Sequence, residues 1–138
     1  MKKQWVRVAV LLFTMGDLCA VAHAQTDGVT AKVPFKFSVA GRTFGAGDYR
    51  IDVGSQQVTV VSLRDGQTVA MVLANKVTGK DPGKTGRIVF RCYRENCFLG
   101  EVWSPRADEG RKVMTTGAER EAARVGEERY FAVMGAEK

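Results

Sequence analysis

The chain has 138 residues, 45% of them hydrophobic and 26% charged, with a formal net charge of +6, which suits one globular domain of ordinary size. Its single histidine, His23, lies in a segment that reads as a removable signal. Ser-His-Asp and Cys-His catalysis, histidine general bases and histidine-ligated zinc are therefore excluded from the mature protein.

In chain order, Lys2, Lys3 and Arg7 give a positive start, residues 8–15 are apolar apart from Thr14, and Ala22-His23-Ala24 supplies a small-x-small cleavage site. A membrane span needs about 20 apolar residues, and here Gly16 and Asp17 interrupt the run. Gly16-Asp17-Leu18 is also a poor lead into a lipidated Cys19. A signal peptide over residues 1–24 is expected, with export to the periplasm or the extracellular space and a mature chain starting at Gln25. That chain carries 18 basic and 14 acidic residues, a balance of +4.

From residue 29 to residue 103 short alternating runs are split by glycine-containing turns, which is the pattern of strands. Phe35, Phe37 and Val39 share one face of a first strand that ends at Ala40-Gly41. Tyr49, Ile51 and Val53 share a face of the next, with Asp48, Arg50 and Asp52 opposite. Residues 58–63 and 69–74 are apolar on both faces, as in strands near the middle of a sheet. Asp65-Gly66 between them predicts a two-residue type I′ hairpin. Residues 75–86 read as a polar loop, and residues 87–93 and 97–103 as two more strands with Arg94-Glu95-Asn96 near the bend.

Pro105 stops the sheet pattern. Thr116-Gly117-Ala118-Glu119 has the spacing of a capping box, and the charged residues 120–129 after it fit a helix that Gly126 weakens. Residues 130–134 suit either a continuation of that helix or a last strand. The expected architecture is all-β, a mostly antiparallel β-sandwich or small open barrel over residues 25–115, followed by a C-terminal helical segment over residues 116–138.

Val33-Pro34-Phe35-Lys36-Phe37-Ser38-Val39-Ala40-Gly41 and Ala46-Gly47-Asp48-Tyr49-Arg50-Ile51, with Phe98-Leu99-Gly100-Glu101-Val102-Trp103 and Ala118-Glu119-Arg120-Glu121, resemble a family of small secreted bacterial proteins of unknown function. The resemblance covers most of the mature chain. It implies a β-rich fold and export, and it carries no catalytic residues. Where that family has Leu-Pro before the Ala-Gly turn, this chain has Phe44-Gly45, a change in turn stiffness.

Residues 79–85 end in Gly-Lys-Thr but fall one residue short of a phosphate-binding loop and precede a strand, so a solvated turn is expected. Cys92 and Cys97 lack the partners of a zinc site and the spacing of a redox pair. In an exported chain they are expected to form a disulfide, which requires an even-numbered hairpin loop. Asp48 and Asp52 lie about 13 Å apart on a strand, too far for a glycosidase pair, and Glu101 is the more interesting acid. Tyr49, Tyr93, Phe98 and Trp103 are read as core rather than as a sugar-binding face. Lys76, Lys80, Lys84, Arg87, Arg91 and Arg94 are the candidate basic patch, the alternative being charges that keep a sheet edge soluble. No metal or cofactor is expected, and the mature chain has no transmembrane span. The expected function is a non-catalytic binding or structural module of the cell envelope, contacting anionic polymers or lipid head groups rather than nucleic acid. The alternative is a small secreted hydrolase using a carboxylate pair.

Overall fold

A computed structural model describes residues 28–79, 85–105 and 107–136. Residues 1–24, where a signal peptide is expected, and Lys80 and Lys84 lie outside the described residues. The elements are β1 (Gly28–Val33), β2 (Phe37–Val39), β3 (Arg42–Phe44), β4 (Gly47–Val53), β5 (Gln57–Ser62), β6 (Thr68–Thr78), β7 (Arg87–Tyr93), β8 (Asn96–Trp103), β9 (Glu109–Val113), α1 (Gly117–Val125) and β10 (Glu128–Met134). The fold is thus mostly antiparallel β with one short helix.

Alternation builds the interior. Val29, Ala31 and Val33 of β1, Tyr49 and Ile51 of β4, Val58 and Val60 of β5, and Ile88, Phe90 and Cys92 of β7 all join one buried cluster. Along the sheet the strands run β1-β4-β5-β6-β9-β8. The other edge of β8 pairs with β7, which pairs in turn with β10. β2 joins β8 in parallel through Ser38 and Phe98, and β3 folds back on β2. β6 holds the two halves together: its first part pairs with β5, and its second part, Ala74 to Thr78, pairs with β9.

The sheet coils until its outer strands β1 and β10 approach, and the Ala136 N–H donates to Thr30 O at 2.6 Å. It is nevertheless not closed into a barrel. Pro34, which has no N–H to donate, follows β1 directly, and the chain then turns toward β2, where Phe35 packs edge-on against Phe90.

Several expectations change. Asp65-Gly66 does join antiparallel neighbours, but the loop is a helical turn in which the Gly66 N–H donates to Ser62 O at 2.8 Å. Only Gly66 has a positive φ there; the turn with two positive φ values is Ala40-Gly41, at 53° and 78°, the signature of type I′. β6 runs on to Thr78, into the expected loop, because β9 supplies it with a partner. The C-terminal segment is helical only over Gly117–Val125, and Glu128–Met134 is a strand against β7. β5 and β6 are interior in strand order, yet Met71 and Leu73 are exposed, because α1 packs over Tyr93 and Phe98 and not over this part of the sheet.

Candidate functional site

The outward face of β7 is polar where the inward face is apolar. Arg91 and Tyr93 point away from the main core and are covered by α1, whose Ala122 packs with Tyr93 and Phe98. Room for the arginine comes from a bulge. The register of β7 on β8 shifts between Val89 and Phe90, so that Val89 faces Glu101, Phe90 faces Leu99 and Gly100 is the extra residue. A Cβ at Gly100 would lie 3.0 Å from Val89 O and 3.1 Å from Arg91 Cγ, which is why a glycine fits here.

The guanidinium is fully engaged. Arg91 Nε donates to Glu119 Oε1 and Oε2 at 3.1 and 3.0 Å, and Nη2 donates to Glu119 Oε1 at 3.0 Å and Val113 O at 3.1 Å. Tyr93 adds its hydroxyl to Glu119 Oε2 at 3.4 Å. Both charged side chains are buried, at 6% and 3% exposure, and a pair so placed needs these extra bonds to offset its desolvation. The capping box is consequently only half formed. The Glu119 N–H donates to Thr116 Oγ1 at 3.2 Å, while the Glu119 carboxylate turns to Arg91.

Above this network lies a groove of about 280 Å³ between α1 and the sheet. Arg91, Tyr93 and Glu119 form its base; Glu101 and Lys112 enter from the sheet, Arg120 from the helix, and Glu128 and Tyr130 from β10. Two of its three carboxylates are engaged by protein donors. Glu119 is held by Arg91, and Glu101 accepts from Trp103 Nε1 at 3.0 Å. Tyr130 is raised above the usual phenol value, first by its interaction with Glu128 and then by burial. Burial first, then the Glu119 and Glu128 charges, raises Tyr93 likewise. Both phenols stay protonated near neutrality and act as hydrogen-bond donors rather than bases. Lys112 and Arg120 take part in no ion pair among the described residues. Lys112 is the cross-strand partner of Glu101, whose carboxylate is turned to Trp103. A second, more open groove of about 420 Å³ lies along the other side of α1, where Ser38, Thr43 and Asn96 meet Phe98 and Val125.

Of the residues singled out from sequence, Arg87 and Arg91 share the outward face of β7. Arg87 stacks over the Trp103 ring at 5.2 Å, and Arg91 is the buried partner of Glu119. Arg94 is exposed in the β7–β8 turn with a φ of 55°. Lys76 lies on β6, separated from β7 by β9 and β8, and pairs with Glu109 at 2.9 Å. Cys92 and Cys97 face each other across the hairpin and are disulfide-bonded, in the even-numbered loop this requires. Tyr49, Tyr93, Phe98 and Trp103 are all buried. Asp52 accepts from Arg50 at 3.0 Å. Among the described residues no group of three or more histidines, cysteines and carboxylates could hold a metal ion.

The groove residues Lys112, Glu119, Arg120, Glu128 and Tyr130 are not legible as a set in the sequence. The nearest signal is Gly100, since a glycine inside a strand pattern marks a bulge or a close approach. No protein-family model matches the chain, and neither the curated proteins nor the solved structures compared with it give a match.

Proposed function

We propose that this protein is an exported, non-catalytic binding module of the bacterial cell envelope, and that an anionic group of an envelope polymer or lipid occupies the groove between α1 and the sheet. The observation that carries the reading is the asymmetry of the groove: its Glu119 and Glu101 carboxylates are each held by a protein donor, while Lys112 and Arg120 have no carboxylate partner among the described residues. Carboxylates engaged in this way are poorly placed for the acid–base roles of a hydrolase. The disulfide and the lack of a membrane-spanning helix among the described residues are compatible with export, and the resemblance to secreted bacterial proteins points the same way.

Cosedimentation with purified envelope fractions across a salt series tests the reading. Binding should fall as salt screens the exposed charges, and Lys112→Gln with Arg120→Gln should weaken it. A Lys80→Gln, Lys84→Gln variant asks whether the loop lysines contribute to the same attraction. Absence of binding at low salt, or salt-insensitive binding that the groove variant leaves unchanged, would overturn the assignment.

A further inference from the structure

Beside the groove, the outer face of the sheet leaves three long apolar side chains in water. Ala70 and Ala74 point into the core, so Met71 and Leu73 of β6 point outward and are 56% and 62% exposed. Met114, just after β9, is 52% exposed, and its N–H donates to Leu73 O at 3.4 Å. Lys112 precedes Met114 by two residues, pairs with Asn75 of β6 and lines the groove. Groove and apolar strip are therefore continuous, and the run Lys112, Met114, Leu73, Met71 spans about 13 Å at the usual strand rise.

We infer that this face docks on an anionic lipid surface. Met71, Leu73 and Met114 enter the apolar margin of the bilayer, while Lys112 and Arg120 meet phosphate groups at headgroup level. The inference rests on the groove reading for its cationic half; the apolar strip is what selects a lipid surface. A soluble polyanion would use the cations and leave the strip exposed, whereas a bilayer offers apolar and anionic layers side by side. A second copy of this chain suits the face less well, because a two-fold contact through the strip would bring Lys112 and Arg120 toward the same cations of the partner. Of the acids on this face of the sheet, Glu101 lies opposite Lys112 with its carboxylate accepting from Trp103 Nε1, and Asp52 lies beyond Thr59 from Met71 and pairs with Arg50.

The test is flotation of the mature protein with vesicles of phosphatidylcholine alone or mixed with phosphatidylglycerol, alongside soluble polyglutamate as a polymer probe. Wild type should float with the mixed vesicles, and each cation removed from Lys112 and Arg120 should cost about fivefold in affinity. Met71→Ser with Leu73→Ser and Met114→Ser, all at exposed positions and checked for native circular dichroism, should cost more than about tenfold. That triple variant should keep any binding to polyglutamate. Binding to polyglutamate with none to vesicles would overturn lipid docking and leave the groove reading standing; binding to neither would remove both. Vesicle binding unaffected by the triple change would also overturn the inference. So would a wild-type dimer, seen by sedimentation velocity, that the triple change dissociates, since the strip would then be a face between copies.

Discussion

The two faces of β7 solve the problem of burial differently. Inward, Ile88, Phe90 and Cys92 disappear into an apolar cluster drawn from most of the strands. Outward, Arg91 and Tyr93 are equally hidden, but by directional bonds to one glutamate on one short helix. Apolar burial is additive and tolerant of small shifts, whereas the outward network depends on each of its members. The inner face thus fixes the fold, and the outer face fixes where α1 sits and hence the shape of the groove.

Equal losses from the two faces would show that both are structural, but they should differ in how they are rescued. Phe90→Ala should lower stability by about 3–5 kcal/mol through the cavity it leaves. Glu119→Ala should cost a similar 3–5 kcal/mol by stranding a buried guanidinium. Replacing both partners, Arg91→Met with Glu119→Leu, should recover most of the second loss and none of the first. Urea denaturation measures all three, and a cost below about 1 kcal/mol for Glu119→Ala would make the outer pair an exposed-type ion pair. Next in size is the disulfide across the hairpin that carries both faces. Cys92→Ala with Cys97→Ala should lower stability by about 2 kcal/mol, the chain-entropy value for so short a loop, and adding reductant to the variant should then have no further effect.

The smallest effect is alkaline. Tyr49 and Tyr93 are raised above the phenol value of 10.0, burial being the leading cause, and Tyr130 is raised chiefly by its interaction with Glu128. The native phenols hold their protons more tightly than unfolded ones. Their contribution to stability is therefore complete below about pH 10 and is lost as the pH rises through the native values. Ultraviolet titration of the folded protein should show phenolate forming later than in urea, with the denaturation midpoint falling over the same interval. Coincident titrations with and without urea would contradict the burial of Tyr49 and Tyr93.

Strands whose own alternation specifies them were legible in the sequence: β4, β7 and β8 carry their pattern locally, and the cysteine spacing implied the hairpin register. β9 was not, because Glu-Gly-Arg-Lys-Val offers a single core side chain, Val113, and is a strand because β6 and β8 flank it on both edges. Arg91 illustrates the same limit at the site. Strand alternation directs it outward, where a cation is ordinarily solvated, and only a helix 28 residues farther along the chain removes it from water. Local pattern reports the side of the sheet, and what covers that side is decided by distant residues.

β6 has a thermodynamic consequence of its own. Its eleven residues are paired with β5 over one part and with β9 over the other, so neither half of the sheet can open without stripping hydrogen bonds from a strand the other half uses. Amides in β4 and β5 should therefore exchange with solvent through the same cooperative opening as those in β8 and β9, a single foldon where two might have been drawn.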